Sequence, residues 1–350
     1  MKKKVVILTI ISVGTVLLIL ALNVVSKSLR NTRYGFNRLF PPHIAEELET
    51  IELPSNSFYI AGANAHRVYL GISKNPLRLL IADTSGYFFF RKLRADYPKP
   101  LNLESLKVIV EGSSFYFRSG VTPLLLKGNL ETGDAKRYTY DGTYFSDFVP
   151  VGSKTAVMRT MSRSLSKEVL AKISPNSPYI KTAPDLLEKQ MDGIFCTDGT
   201  LLNDHHGHLV YIYYYRNQFI YTDTSLNLIY RGKTIDTISH AQIKVTKVGD
   251  SYTLAEPPLN VNKQSTIDDH WLFVHSGLLA QNEEKTNFDR ASVIDVYDLT
   301  SGDYKFSFYI FDKGRKKVID LRVAGNLLYA LFDHYLVTYR LKADFFKSNE

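Results

Sequence analysis

The sequence is poor in cysteine and lacks the short motifs of the common enzyme classes. Cys196 is the single cysteine among 350 residues, so no intramolecular disulfide can form. Its neighbours Ile194 and Phe195 are apolar, which predicts a buried thiol and not a reactive one. We find no glycine-rich phosphate loop, G-x-S-x-G elbow, H-E-x-x-H pair or paired-cysteine metal motif. The sequence therefore favours a protein without enzymatic activity, and it predicts no cofactor.

Excess charge of one sign is confined mainly to the N-terminus. The formal net charge is +8, but residues 1–33 carry six basic residues and no acidic one. Subtracting these six from the 43 basic residues leaves 37, which against 35 acidic residues gives +2 for residues 34–350. A protein that binds nucleic acid through a broad basic surface would need a larger excess there. We therefore predict no nucleic-acid partner.

One long apolar run extends from Val5 to Val25. Its 21 uncharged residues are enough to cross about 30 Å of hydrocarbon as a helix, and cleaved signal peptides have shorter apolar cores of about 7–15 residues. We predict a cytoplasmic tail over residues 1–4, a transmembrane signal-anchor helix over 5–25 and a linker over 26–44, with a cleaved signal as the alternative. Basic residues flank the run on both sides, and the free amino group favours an N-terminus in the cytoplasm. The rest of the chain would then be extracytoplasmic, on the periplasmic side in a bacterium.

Turns rich in Asp, Asn, Ser, Thr and Gly recur at a nearly constant interval. They begin at or near residues 83, 129, 176, 223 and 298, and the first three intervals are 46, 47 and 47 residues. Such residues supply the backbone angles and side-chain caps of hairpin turns. Blades of four strands have a period of about 40–50 residues. A pair of β-sandwiches is the alternative, but it has no reason to keep this register.

We therefore predict an all-β fold, a β-propeller over residues 45–345 with six four-stranded blades, or seven if an insertion forms a degenerate blade. Residues 49–53 could supply the fourth strand of the last blade and close the ring. We also predict an added hairpin within residues 241–260 and a long polar loop over residues 277–290. The blade period and turns resemble the broad class of six-bladed propellers that includes TolB-like and NHL-like proteins. This resemblance implies the fold and a binding role.

Polar and basic residues recur on the face that carries the turns between the second and third strands of each blade. Arginine can hold a carboxylate or a phosphate through two parallel hydrogen bonds. We predict a protein- or peptide-binding surface on this face, with Arg163 and the Asp333-His334 pair near it. Its candidate residues are Arg118, Arg159, Arg216, Asn217 and His275.

A histidine-rich turn on the opposite face is a weak candidate for a metal site. Imidazole and carboxylate groups are suitable zinc ligands, and the turn contains four of them in five positions. Residues so close together cannot all point at one ion, so we favour a solvated turn. Residues 268–270 of the next blade receive the same interpretation. The four candidates are Asp204, His205, His206 and His208.

The leading functional hypothesis is a membrane-anchored, extracytoplasmic propeller that acts as a protein- or ligand-binding scaffold. A structural accessory subunit of a membrane complex is a related possibility. The alternative from another class is a metal-dependent propeller enzyme, a lactonase-like hydrolase or a lyase. Resemblance to such enzymes implies a metal in the central channel, for which Glu111, Asp198 and Asp320 are candidates on the innermost strands.

Overall fold

The protein is built from six small sheets arranged in a ring. The computed structural model describes residues 2–30, 32–97, 102–120, 122–138, 142, 144–190, 195–249 and 251–346. The chain begins with helix α1 (Lys2–Arg30), a short strand β1 (Arg33–Tyr34) and the long strand β2 (Ala45–Glu52).

In each of the first four blades, four antiparallel strands follow one another from the innermost to the outermost position, and the sheet of blade 2 gains a fifth, parallel strand from the link that follows blade 1. Blade 1 contains β3 (Phe58–Ala63), β4 (Arg67–Ile72), β5 (Arg78–Asp83) and β6 (Phe88–Lys92) and is followed by β7 (Arg94–Ala95); blade 2 contains β8 (Lys107–Glu111), β9 (Ser114–Ser119), β10 (Leu124–Asn129) and β11 (Asp134–Arg137); blade 3 contains β12 (Asp147–Pro150), β13 (Ala156–Ser162), β14 (Lys167–Ile173) and β15 (Ile180–Ala183); blade 4 contains β16 (Gly199–Asn203), β17 (His208–Tyr213), β18 (Gln218–Asp223) and β19 (Leu228–Lys233).

Blades 5 and 6 carry the irregular features of the fold. The hairpin predicted within residues 241–260 is present between blades 4 and 5, and the loop predicted at 277–290 contains a short strand and a short helix. The hairpin consists of β20 (Val245–Val248) and β21 (Ser251–Leu254). Blade 5 contains β22 (Asn262–Asp268), β23 (Trp271–Ser276), β25 (Ala291–Asp298) and β26 (Asp303–Phe311), with β24 (Leu279–Ala280) and α2 (Lys285–Arg290) inserted between β23 and β25. Blade 6 contains β27 (Asp320–Ala324), β28 (Leu327–Leu331) and β29 (Tyr335–Leu341).

The ring is closed by pairing between the two ends of the propeller. Strand β2 lies antiparallel to β29, from Ala45 opposite Leu341 to Glu52 opposite Tyr335, and forms the outermost strand of blade 6. The pairing satisfies backbone groups that would otherwise form an open edge on β29. The prediction of six four-stranded blades with this mode of closure is confirmed.

Apolar side chains fill the spaces between adjacent blades. Strand β9, for example, contributes Phe115 and Phe117 to a buried cluster that also contains Tyr69 and Ile81 of blade 1. A strand covered by a neighbouring blade on each face needs apolar residues at successive positions. This is why strands such as Leu209–Tyr213 are continuously apolar and do not alternate.

The two faces of the ring carry different connections. We call the upper face the one with the turns between second and third strands and the links between blades; the lower face carries the other turns. Strand β1 pairs in parallel with β24, which belongs to the upper-face insertion of blade 5, so α1 leads into the upper face. Among the described residues, no helix is found that has both the length and the apolarity needed to span a membrane. The anchor over residues 5–25 stays a prediction.

A buried arginine fixes the segment between β1 and β2 against blade 5. The Nη1 atom of Arg38 lies 2.6 Å from Oε2 of Glu283, and its Nε and Nη2 donate to the two carboxylate oxygens of Asp295 at 2.7 and 3.1 Å. Burial disfavours the charged guanidinium, but Asp295 and Glu283 raise the pKa of Arg38 above its ordinary value. The arginine therefore stays charged inside the protein.

We expect substitution of Ile51, the buried residue of β2, to weaken ring closure. Ile51→Ala leaves a cavity between blades 6 and 1, and this should lower the free energy of unfolding by about 2–5 kcal/mol. The exposed neighbour Glu52 provides the control, since Glu52→Ala should change it by less than about 0.5 kcal/mol. Urea titration of both variants measures the difference, and equal losses would contradict a closing role for β2.

Candidate ligand site in the central channel

The innermost strands of the six blades surround a polar channel. Its cavity has a volume of about 500 Å³ and is bordered by residues of β3, β8, β12, β16, β22 and β27. Cavities of this size accommodate small molecules or a few side chains of a partner. The charged residues that line it are Lys107, Glu111, Arg118, Asp147, Arg159, Asp320 and Arg322.

The carboxylate of Asp147 joins three blades. One oxygen, Oδ1, accepts hydrogen bonds from Arg118 of blade 2 at 2.9 Å and from the amide of Phe148 at 2.8 Å. The other oxygen accepts the amide of Leu201, in the innermost strand of blade 4, at 2.9 Å. Both oxygens are therefore occupied by protein groups.

Asp320 has an equivalent position at the start of β27. Its Oδ2 accepts the amide of Ile60 in blade 1 at 2.8 Å, and its Oδ1 accepts the amide of Leu321 at 2.9 Å. Burial raises the pKa of Asp320, while the hydrogen bond from Ile60 and the positive charges of Arg322 and Lys107 act in the opposite direction. This carboxylate, too, serves the contact between two blades.

Side-chain oxygens accept innermost-strand amides at two further blade junctions. The hydroxyl of Tyr59 accepts the amide of Val108 at 2.6 Å, and the hydroxyl of Thr266 accepts the amide of Val323 at 3.3 Å. Innermost strands lack a hydrogen-bonded strand on their channel side, so buried amides there need other acceptors. The polar lining of the channel therefore has a structural cause.

Three cations, which we call the channel cations, face this cavity. Lys107 begins β8 with its Nζ 5.7 Å from the centre of the Tyr59 ring, and Arg322 lies in β27. Neither side chain makes an ion pair or a hydrogen bond with the residues that the structure describes. The third cation, Arg118, is partly exposed, and its Nη1 donates a hydrogen bond to Asp147. Lys107 and Arg118 also border an adjoining cavity of about 380 Å³ at the upper face.

Arg159, a predicted surface residue, borders the channel but is buried in a polar network. Its Nη1 lies 3.0 Å from Glu168, 2.9 Å from Asp198 and 3.1 Å from the hydroxyl of Tyr211. Burial raises the pKa of Glu168, and the charge of Arg159 opposes this shift. The guanidinium is thus committed to neighbouring side chains.

Three other predicted surface residues lie inside the protein. Arg216 is fully buried and stacks on Tyr213 at 3.7 Å, while its neighbour Asn217 donates to the carbonyl of Asp236. Burial, followed by the positive charges of two nearby lysines, lowers the pKa of His275 well below its ordinary value. These side chains do not form an exposed surface, and their role in partner binding stays a prediction.

The histidine-rich turn is held by its own aspartate. Oδ1 of Asp204 accepts the amides of His206 and His208 at 2.8 Å each, and Oδ2 lies 2.7 Å from Nδ1 of His208. His205 points instead toward Glu111 at 3.3 Å, and His206 lies 3.4 Å from a carboxylate oxygen of the next blade. The side chains therefore diverge, as expected for a solvated turn.

The described part of the chain contains no group of three or more His, Cys, Asp and Glu residues placed to hold a metal ion. The proposed channel ligands have separate surroundings: Glu111 faces His205, Asp198 faces Arg159, and Asp320 accepts backbone amides. The geometry of these residues gives no support to a channel metal.

Sequence reasoning did not identify Lys107 and Arg322 as site residues. Each lies in an innermost strand whose buried positions alternate with less buried ones, as in Lys107–Glu111 and Asp320–Ala324. In such a strand the polar positions face the channel. Once the innermost strand of each blade is assigned, this alternation of apolar and polar residues is the signal that identifies Lys107 and Arg322 as channel residues.

Comparisons with known proteins identify no family for this chain. No family model and no curated protein sequence matches the chain. Solved structures to which the chain is similar include an inactive virginiamycin B lyase from Staphylococcus aureus with quinupristin (TM-score 0.49, 11% identity, 85% of this chain and 100% of that chain covered). A second is a member of the DUF4221 family from Bacteroides vulgatus (TM-score 0.49, 13% identity, 89% of this chain and 99% of that chain covered). A third is YCF48 bound to D1 peptide (TM-score 0.46, 10% identity, 87% of this chain and 98% of that chain covered).

We expect removal of Arg159 to destabilise the protein in a pH-dependent way. Arg159→Met leaves Glu168 and Asp198 without this counter-ion, at a cost of about 3–5 kcal/mol near neutral pH. A carboxyl with a raised pKa binds its proton more readily in the folded state, so stability rises as the pH falls from the raised pKa of Glu168 toward its ordinary value of 4.5. The loss of stability should therefore be smaller at about pH 5 than at about pH 7.5.

Urea titrations at the two pH values measure this difference. Arg163→Met, at an exposed turn of the same blade, is the control and should cost little at either pH. If Arg159→Met lowers the free energy of unfolding by the same amount at both pH values, the ionisation of Glu168 does not contribute to the loss.

Proposed function

We propose that this protein is a membrane-anchored, extracytoplasmic binding module that receives an acidic group of a protein partner in its channel. The supporting observation is the asymmetry of the channel lining. Asp147 and Asp320 are engaged by backbone amides, whereas Lys107 and Arg322 face the cavity without an ion pair to a described residue. The channel therefore favours an anionic guest.

The chemistry of the channel cations suits a carboxylate. Arginine offers planar pairs of N–H donors that match the two oxygens of a carboxylate, and lysine adds a point charge. A charge held in a recess with low-dielectric walls also acts over a longer distance than one on a flat surface. A glutamate- or aspartate-rich segment of a partner would satisfy all three cations with several side chains.

The predicted anchor supports a partner in the same membrane. An uncharged run of 21 residues precedes the propeller, and tethering two molecules to one surface raises their effective concentration for each other. Moderate affinity at the channel would then be sufficient for association. A scaffold of a membrane complex would use both features.

We expect charge reversal of either Lys107 or Arg322 to weaken binding of an acidic peptide to the channel. Lys107→Glu and Arg322→Glu should each weaken binding of a fluorescein-labelled pentaglutamate peptide to the full-length protein by about tenfold or more, because a repulsive charge replaces an attractive one. Fluorescence anisotropy in detergent solution at low and high salt measures the affinity. The binding should weaken as salt increases.

Lys74→Glu is the matched control, since Lys74 is an exposed lysine of the upper face outside the channel. The proposal fails if the wild-type protein does not bind the peptide, or if the three variants bind it equally. If the peptide binds as expected, crosslinking in intact cells identifies the natural partner as the protein that is crosslinked to the wild type and not to Arg322→Glu.

A further inference from the structure

The exit point of α1 is fixed close to blade 5. Only two residues separate Arg30, the last residue of the helix, from Arg33 in β1, so the two lie within about 11 Å of each other along the chain. Arg33 and Tyr34 pair with Leu279 and Ala280 of the upper-face insertion, and the Arg33 side chain donates to the carbonyl of Gln281 at 2.9 Å. The helix therefore ends at the upper rim of this blade.

The segment that follows cannot swing freely. Phe36 packs in a buried cluster with Val261, Leu278 and Ala280, and the Arg38 ion pairs with Glu283 and Asp295 come next along the chain. Buried ion pairs and apolar contacts at successive positions hold the exit of the helix in one place on the ring.

The β20–β21 hairpin belongs to the upper-face link between blades 4 and 5. Leu259, shortly after the hairpin, packs against the same cluster as Phe36. Val248 and Tyr252 are exposed on its two strands, and the exposed Lys247 lies beside Val248 in the sequence. The hairpin thus presents apolar, aromatic and basic groups together.

A basic loop lies on the same rim, between blades 5 and 6. Exposed Phe311 and Ile319 flank it, and Nζ of Lys317 donates to the carbonyls of Phe288 and Ala291 at 2.6 and 2.8 Å, which ties the loop to the insertion. Lys316 contacts Asp333 at 3.4 Å. The loop's cations are Lys313, Arg315, Lys316 and Lys317; Glu47 forms an ion pair with Lys313, and the charges of Asp312, Asp289 and Glu283 act on Lys317.

We propose that this rim, made of the β20–β21 hairpin and the 311–319 loop, lies on the surface of a bilayer that contains anionic lipids. The inference rests on the proposed membrane anchor. Tyrosine is favoured at the level of the lipid headgroups, and basic residues near an anionic surface add to the attraction. The upper mouth of the channel would then open toward the membrane and not away from it.

The test compares two tyrosines with the same exposed fraction on opposite faces. Tyr252 of the hairpin and Tyr179 of a lower-face turn are each 56% exposed. Full-length Tyr252→Cys and Tyr179→Cys are labelled with the fluorophore NBD and reconstituted in vesicles of phosphatidylcholine and phosphatidylglycerol that carry a headgroup-attached quencher. The wild-type protein measures background labelling of buried Cys196.

We expect loss of most of the NBD fluorescence at position 252 and no loss above background at position 179. Adding Arg315→Glu and Lys316→Glu should reduce the quenching at 252, because the anionic surface repels the two new negative charges. Equal quenching at the two positions, strong or absent, in protein that resists carbonate extraction would overturn this inference and leave the anchor intact. Release of the protein by carbonate would overturn the anchor and, with it, the membrane contact.

Discussion

The amides of the innermost strands impose a requirement that shapes the whole centre of this propeller. Each of these strands has a hydrogen-bonded neighbour on one side, while its other side faces the channel or the next blade. Amides that are buried there need an acceptor from outside their own sheet. Asp320, Tyr59, Asp147 and Thr266 provide that acceptor across four junctions between blades. The same bonds that hold the blades together thus fill the channel wall with oxygen atoms.

This use of carboxylates determines which charges are left for a ligand. The oxygens of Asp147 and Asp320 are directed at backbone amides, so their negative charge is already solvated by the protein. Lys107 and Arg322 face the cavity without an ion pair to a described residue. The candidate site is therefore a consequence of the way the ring is assembled.

The fold could be predicted from the sequence because its signals are local and repeated. Turn residues such as Asp83, Asn129 and Asp298 recur at blade spacing, and each caps its own turn through its carboxylate or amide oxygen. The site could not be predicted in the same way. Whether an arginine near a strand end reaches solvent, as in Arg118, or is enclosed, as in Arg216, depends on neighbouring blades that are distant in sequence. Periodicity gives the strand and its face, but it does not give the depth of the side chain.

The closing strand has a further consequence during synthesis of the chain. Residues 45–52 leave the ribosome early, and their partner, residues 335–341, follows almost 300 residues later. At about 5–20 residues per second, β2 would wait unpaired for roughly 15–60 seconds. Four of its eight residues are glutamates (Glu46, Glu47, Glu49 and Glu52). Like charges repel other copies of the same nascent segment, so this composition protects an exposed strand edge until its partner is made.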